Sequence, residues 1–160
     1  MRSDLIPKSR LLARVLPVDA SKTWSQQHEN VFDNEFTVLS DDAKLISIGL
    51  IDDTGQRTFY PEVIGIEPAE CSLFCREAVL PPLEHGSATR PLDNLREDLC
   101  IWLSALGPAM LVCDSPRDRV QLPRLFPAGL PVNCTVCVLG FWGNTRRRLL
   151  NFGRRLHRRH

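Results

Sequence analysis

The sequence predicts a mixed α/β domain, and three observations lead to that fold class. Residues 44–51 ("KLISIGLI") form a continuous aliphatic run, which is typical of a central strand buried on both faces. Leucines at three- and four-residue steps between Leu92 and Leu106 predict an amphipathic helix. A second apolar run, residues 109–113 ("AMLVC"), follows this helix and predicts a buried strand. In 160 residues, this alternation indicates one globular domain.

The first half of the chain has the pattern of an antiparallel meander. The first strand is predicted over residues 30–38 ("NVFDNEFTV"), and a polar turn separates it from the strand at 44–51. Residues 52–56 ("DDTGQ") predict a tight turn in which Gly55 adopts positive φ. We therefore expect residues 57–63 ("RTFYPEV") to return as the partner strand.

The second half alternates helices and strands. A helix is predicted from about Glu70 until Pro81 and its neighbouring proline stop it. After the helix and the strand described above, another helix is expected to start near Pro116 and to break early at Pro123. Residues 133–139 ("NCTVCVL") predict the last strand. The expected order is β-β-β-α-α-β-α-β.

Charge divides the chain into three parts. We expect an irregular lead-in over residues 1–30, the folded domain over 31–139, and a basic segment over 140–160. Seven of the 20 basic residues lie between Arg146 and Arg159, which leaves 13 basic against 19 acidic residues elsewhere. A basic segment on an acidic body suggests contact with a polyanion, either a nucleic acid or a membrane surface. A solvated helix face or an ill-ordered tail is the alternative.

Hydropathy and cysteine usage favour a cytoplasmic protein without a membrane partner. No apolar run approaches the ~20 residues that a membrane-spanning helix needs, and no secretory signal is evident. The six cysteines lie mostly in apolar stretches, where free thiols behave as small hydrophobes. Cys134 and Cys137 could form half of a zinc site, but structural cysteines are the favoured interpretation.

Two acids on the first predicted strand are the first candidate site. Side chains alternate along a strand, so Asp33 and Glu35 are expected to point to the same face. Like charges on one face repel each other unless a cation lies between them, and a divalent metal ion is the usual solution. The alternative is an exposed strand end whose carboxylates face water.

Two further acids lie where the 109–113 strand leads into a helix. Asp114 and Asp118 flank "SPR", and Asp114 could simply be the N-cap of that helix. Asp118, one helical turn later, is expected to point back toward the strand ends. An Asp-x-Glu pair on a first strand and a later Asp at a strand end form the acid layout of two-metal phosphoryl chemistry.

These segments resemble the DEDD 3′–5′ exoribonucleases, in particular a bacterial branch related to RNase T and oligoribonuclease. The most specific pieces are "FDNEFT" followed by "LISIGL", and "LVCDSPRD", within a similarity over residues 31–139. The resemblance implies an RNase H-like fold and two ions of Mg²⁺ or Mn²⁺. It also implies hydrolysis of RNA from the 3′ end. Asp33 and Glu35 match the first motif of the family. Asp118 best matches the second, with Asp114 as the alternative.

The third motif of that family is incomplete in this sequence. In the family, a histidine followed by four residues and an aspartate supplies the general base and the fourth acidic ligand. Neither His157 nor His160 has an aspartate five positions later, and no acidic residue follows Asp118. His160 is the one candidate for the catalytic base, as the first histidine of a motif that is cut short.

Two main hypotheses about function remain open from the sequence, beside a weaker third in which a basic amphipathic C-terminus contacts a membrane or another helix. The first is an exoribonuclease whose ions bind Asp33, Glu35 and Asp118, with His160 as base and RNA 3′ ends as the substrate. The second is a non-catalytic relative that binds RNA or a protein through the acidic cleft and the arginine-rich segment. The resemblance also suggests a homodimer.

Overall fold

One mixed β-sheet organises the residues that the computed structural model describes, 28–138. Its seven strands are β1 (His28–Phe36), β2 (Leu45–Ile51), β3 (Thr58–Phe59), β4 (Glu62–Val63), β5 (Thr89–Arg90), β6 (Ala109–Cys113) and β7 (Cys134–Val138). The α-helices are α1 (Leu92–Ser104) and α2 (Pro116–Gln121). Shorter helical turns are the 3₁₀ segments Pro68–Glu70, Gly86–Ala88 and Leu122–Leu125, and the π-helical turn Cys75–Val79.

The strand order β5-β4-β2-β1-β6-β7 places the first strand near the centre of the sheet, with β3 also pairing with β2. β1, β2, β3 and β4 form antiparallel pairs, whereas β6 runs parallel to both β1 and β7. These pairings confirm a mixed α/β domain whose first strands are antiparallel. The predicted strand at 57–63 is interrupted between Phe59 and Glu62, where Pro61 has no N–H to donate to a ladder.

The main core lies between one face of the sheet and α1. Leu95, Leu99 and Leu103, one helical turn apart, are fully buried and pack with Phe32 of β1 and Leu111 of β6. This spacing places all three leucines on the helix face that meets the sheet. The helix thus covers β1 and β6, which their parallel ladder holds side by side.

The helix predicted from Glu70 to Pro81 is shorter and less regular than expected. A 3₁₀ turn ends at Glu70, and the following helical residues close with a π-type hydrogen bond from Leu80 N to Cys75 O of 2.9 Å. The two prolines stop the segment as predicted. Cys75 and Val79 of this turn pack in a second, smaller apolar cluster with Ile46 of β2.

The β1–β2 ladder is irregular beside the predicted acid pair. Glu35 pairs with Ser47, but Phe36 pairs with Leu45, so Ile46 is an extra residue on β2. Such a bulge turns the strand locally and changes the direction of neighbouring side chains. Leu45 consequently packs in the main core, while Ile46 packs in the second cluster.

Two of the predicted segments fall mainly or wholly outside the described residues. β1 begins at His28, inside the expected lead-in, and nothing is described before it. The basic segment 140–160, including His160, follows the last described residue, Val138. Within residues 28–138, no helix has the length and apolar character needed to cross a membrane.

We expect Leu99→Ala to lower the free energy of unfolding by about 2–5 kcal/mol, because it removes a fully buried side chain from the main core. Urea denaturation followed by far-UV circular dichroism measures the change. Ile101 on the same helix is 69% exposed, so Ile101→Ala is the matched control and should change stability by less than about 0.5 kcal/mol. Equal losses in the two variants would contradict the assigned helix orientation.

Candidate metal centre

Three aspartates converge where β1 passes the end of β6. Asp33, Asp114 and Asp118 each present a carboxylate oxygen, and these oxygens lie within 4.8 Å of one another. The parallel register pairs Val31 with Val112, so two residues further along Asp33 comes opposite Asp114. Sheet register and the helix that follows β6 therefore bring the three acids together from distant parts of the sequence.

The start of α2 places Asp118 in this group. Ser115 is the N-cap, and its Oγ accepts a hydrogen bond of 3.2 Å from Arg117 N, with Pro116 in the first helical turn. The alternative role of Asp114 as N-cap is therefore wrong, because the neighbouring serine fills it. Asp118 lies in the first turn of the helix and is buried.

Burial makes two of the carboxyl groups unusually weak acids. It raises the pKa of Asp118 from its usual 3.8 to about 7, and the neighbouring carboxylates Asp33, Asp114 and Glu35 add to the rise. Burial likewise raises the pKa of Glu35 from 4.5 to about 7, with a further contribution from Asp33. The four carboxyl groups thus repel one another when they are ionised, and a bound cation would offset that repulsion by attracting them.

Asn34 is a buried neighbour of Asp118 and is 6% exposed. Its side-chain amide lowers the pKa of Asp118, which opposes part of the rise that burial and the neighbouring carboxylates cause. The amide therefore favours the ionised form of Asp118.

The structure brings together only some of the residues predicted as metal ligands. Carboxylate oxygens of Asp33 and Asp118 lie close together, and Asp114, which the sequence offered as an alternative to Asp118, lies beside both. Glu35 lies outside this closest group of oxygens, although it is near enough to affect the pKa of Asp118. His160 lies outside the described residues.

Other metal-ligating side chains do not join the cluster in the described part of the chain. His28 Nδ1 lies 3.2 Å from Asp53 Oδ2, and His85 Nδ1 lies 3.8 Å from the buried Glu62. All six cysteines are free thiols, and the aspartate group is the one set of three or more potential metal ligands among residues 28–138. Cys134 and Cys137 do not form a zinc site with other described residues.

A separate groove of about 370 Å³ lies between the β1–β2 loop, residues 63–66, α1 and residues 121–125. None of the clustered carboxylates lines it. The basic side chains around it each contact an acid, in the pairs Lys44–Glu70, Arg96–Asp93 and Arg124–Asp41. The groove thus has compensated charge, whereas the aspartate cluster concentrates charge of one sign.

Comparison with protein-family models finds no match, and comparison with curated proteins finds none either. The observations that bear on a metal ion are the proximity of the three aspartates and the raised pKa of Asp118.

We expect the metal-free protein to lose stability as pH rises from about 4 to 7. The pKa of Asp118 is about 7 in the folded state and 3.8 in a free carboxyl group, so the folded state binds more protons over this interval. The stabilising contribution is complete below pH ~4 and is lost as pH rises through the folded-state pKa. Urea denaturation in the presence of a chelator at several pH values measures the slope.

Asp118→Asn should flatten this pH dependence and stabilise the metal-free protein at pH 7. Asp93 is 88% exposed, so Asp93→Asn is the matched control and should leave the slope unchanged. A wild-type protein whose stability increases with pH between 4 and 7 would contradict the raised pKa values.

Proposed function

We propose that this chain is a divalent-metal-dependent nuclease with an RNase H-like fold that hydrolyses RNA from its 3′ end. The observation that carries the proposal is the convergence of Asp33, Asp114 and Asp118 where β1 passes the end of β6. Asp33 and Asp118 are two of the residues that the resemblance to DEDD exoribonucleases implies as metal ligands. The mixed sheet with antiparallel first strands is compatible with the fold of that family.

The donor atoms suit Mg²⁺ or Mn²⁺. These hard cations prefer carboxylate oxygens and water, whereas Zn²⁺ sites commonly include histidine or cysteine. Asp33, Asp114 and Asp118 would hold one ion. Glu35, whose pKa is raised partly by the charge of Asp33, would help to hold a second. Two such ions supply a nucleophile at neutral pH and stabilise the charge on the leaving oxygen.

The reaction is hydrolysis of the last phosphodiester. Water attacks the phosphorus, the bond between phosphorus and the 3′ oxygen breaks, and that oxygen takes up a proton. The products are a nucleoside 5′-monophosphate and an RNA shortened by one nucleotide. The carboxylates would hold the ions, and His160 is the residue that the sequence suggests as the acceptor of the proton from water. The seven arginines from Arg146 to Arg159 would contact RNA phosphates, which predicts salt-sensitive binding.

A non-catalytic RNA- or protein-binding relative is the second candidate. The observation in its favour is that no acid follows Asp118 within these 160 residues, so they contain no match to the fourth ligand of the family motif. Asp114 supplies an additional carboxylate to the cluster instead. For that reason we favour the enzyme.

We expect the full chain to shorten a 5′-labelled single-stranded RNA in the presence of Mn²⁺, and a chelator to stop the reaction. Asp33→Asn should lower the rate by about 10²–10⁴, because it removes a carboxylate from the metal cluster. Denaturing gel electrophoresis of time points measures the products, and Asp93→Asn is the control with unchanged activity. RNA binding that persists in Asp33→Asn, with no shortening by wild type, would favour the binding protein instead.

A further inference from the structure

Two arginines that follow Asp114 in sequence hold the loop between β1 and β2. Arg117 of α2 donates from Nη1 to Ser40 O at 3.2 Å and from Nη2 to Leu39 O at 3.0 Å. Arg124, in the 3₁₀ turn after α2, donates from Nη1 to Asp41 O at 3.2 Å. Three successive carbonyl groups of the loop are thus bound by side chains that follow Asp114 in sequence.

These contacts join the two parts of the chain that carry the aspartates. Arg117 directly precedes Asp118, and the loop that it binds begins soon after Asp33 and Glu35 on β1. The base of the loop is closed by its own hydrogen bond from Thr37 N to Lys44 O at 3.0 Å. The arginines therefore bind the tip of the loop, beyond the backbone hydrogen bond that joins its two ends.

The sheet alone does not fix the distance between Asp118 and Asp33. The β1–β6 ladder ends at the pair Val31–Val112, so residues beyond it on β1 have no strand partner on that side. α2 has six residues and leaves β6 at this point. Side-chain contacts with the β1–β2 loop add to the packing of α2 against β6 and β7, and the paired hydrogen bonds of Arg117 are the loop contact nearest to Asp118 in sequence.

We propose that Arg117 is a positioning residue that sets the separation of Asp118 from Asp33, and thereby the affinity of the centre for divalent cations. This inference rests on the metal centre of the proposed function. A guanidinium group with two parallel donors fixes both distance and direction. Residues that orient metal ligands typically change metal affinity by about 10–100-fold when they are replaced.

A purely electrostatic role of Arg117 predicts the opposite sign. Removal of a positive charge near the cluster would reduce repulsion toward an incoming cation, and divalent binding would become tighter. A positioning role predicts weaker binding after the same change, since Asp118 is then no longer held near Asp33. The direction of the effect on cation affinity therefore separates the two roles.

The test is isothermal titration calorimetry of MnCl₂ into the full chain. We expect Arg117→Gln to weaken Mn²⁺ binding about tenfold relative to wild type. Arg117→Lys keeps the charge but loses the paired donors, so this variant should also bind Mn²⁺ more weakly than wild type. The matched control is Arg57→Gln, because Arg57 also donates to a backbone carbonyl, Ala105 O at 3.5 Å, but lies beyond the opposite end of β2.

Each outcome has one meaning. Weaker binding in both Arg117 variants, with Arg57→Gln unchanged, supports the positioning role. Binding that is unchanged or tighter in Arg117→Gln overturns it and leaves the proposed function intact. If wild type itself does not bind Mn²⁺, the proposed function fails first. Thermal unfolding of each metal-free variant checks its fold, and if Arg117→Gln is unfolded, wild-type affinity in Arg117→Lys overturns the inference.

Discussion

Mutual repulsion among carboxylates held close together is the constraint on which this structure depends. Asp33, Asp114 and Asp118 come from a strand, a strand end and a helix, and their oxygens lie within 4.8 Å. Separate charges in this arrangement would move apart unless the backbone prevented it. The parallel β1–β6 register, the Ser115 cap and the Arg117 contacts with the loop each restrict that movement.

The rest of the fold stabilises this unfavourable group. Leu95, Leu99 and Leu103 of α1 bury one face of the sheet and keep β1 beside β6 without any contribution from the acids. Such burial offsets the cost of desolvating Asp118. Functional centres commonly contain unfavourable local interactions, and a well-packed core elsewhere in the fold offsets their free-energy cost.

The sequence predicted the features that depend on local pattern. β2 and α1 were predicted because aliphatic runs and leucine spacing reflect burial directly. β5 was not predicted, since two residues carry no periodicity and pair only because β4 lies beside them. Asp114 was left as an alternative to Asp118 because its approach to Asp33 depends on the parallel register of distant strands. If the pairing of Val31 with Val112 had been known, it would have indicated that Asp114 lies beside Asp33.

The most direct test of the central claim is a crystal structure of the protein grown with MnCl₂, with anomalous diffraction measured near the manganese absorption edge. The account predicts an anomalous peak at about 2.2 Å from carboxylate oxygens of Asp33 and Asp118, with Asp114 in the same coordination shell or bound through water. Absence of any peak at saturating Mn²⁺, with these carboxylates separated and each hydrated on its own, would contradict it.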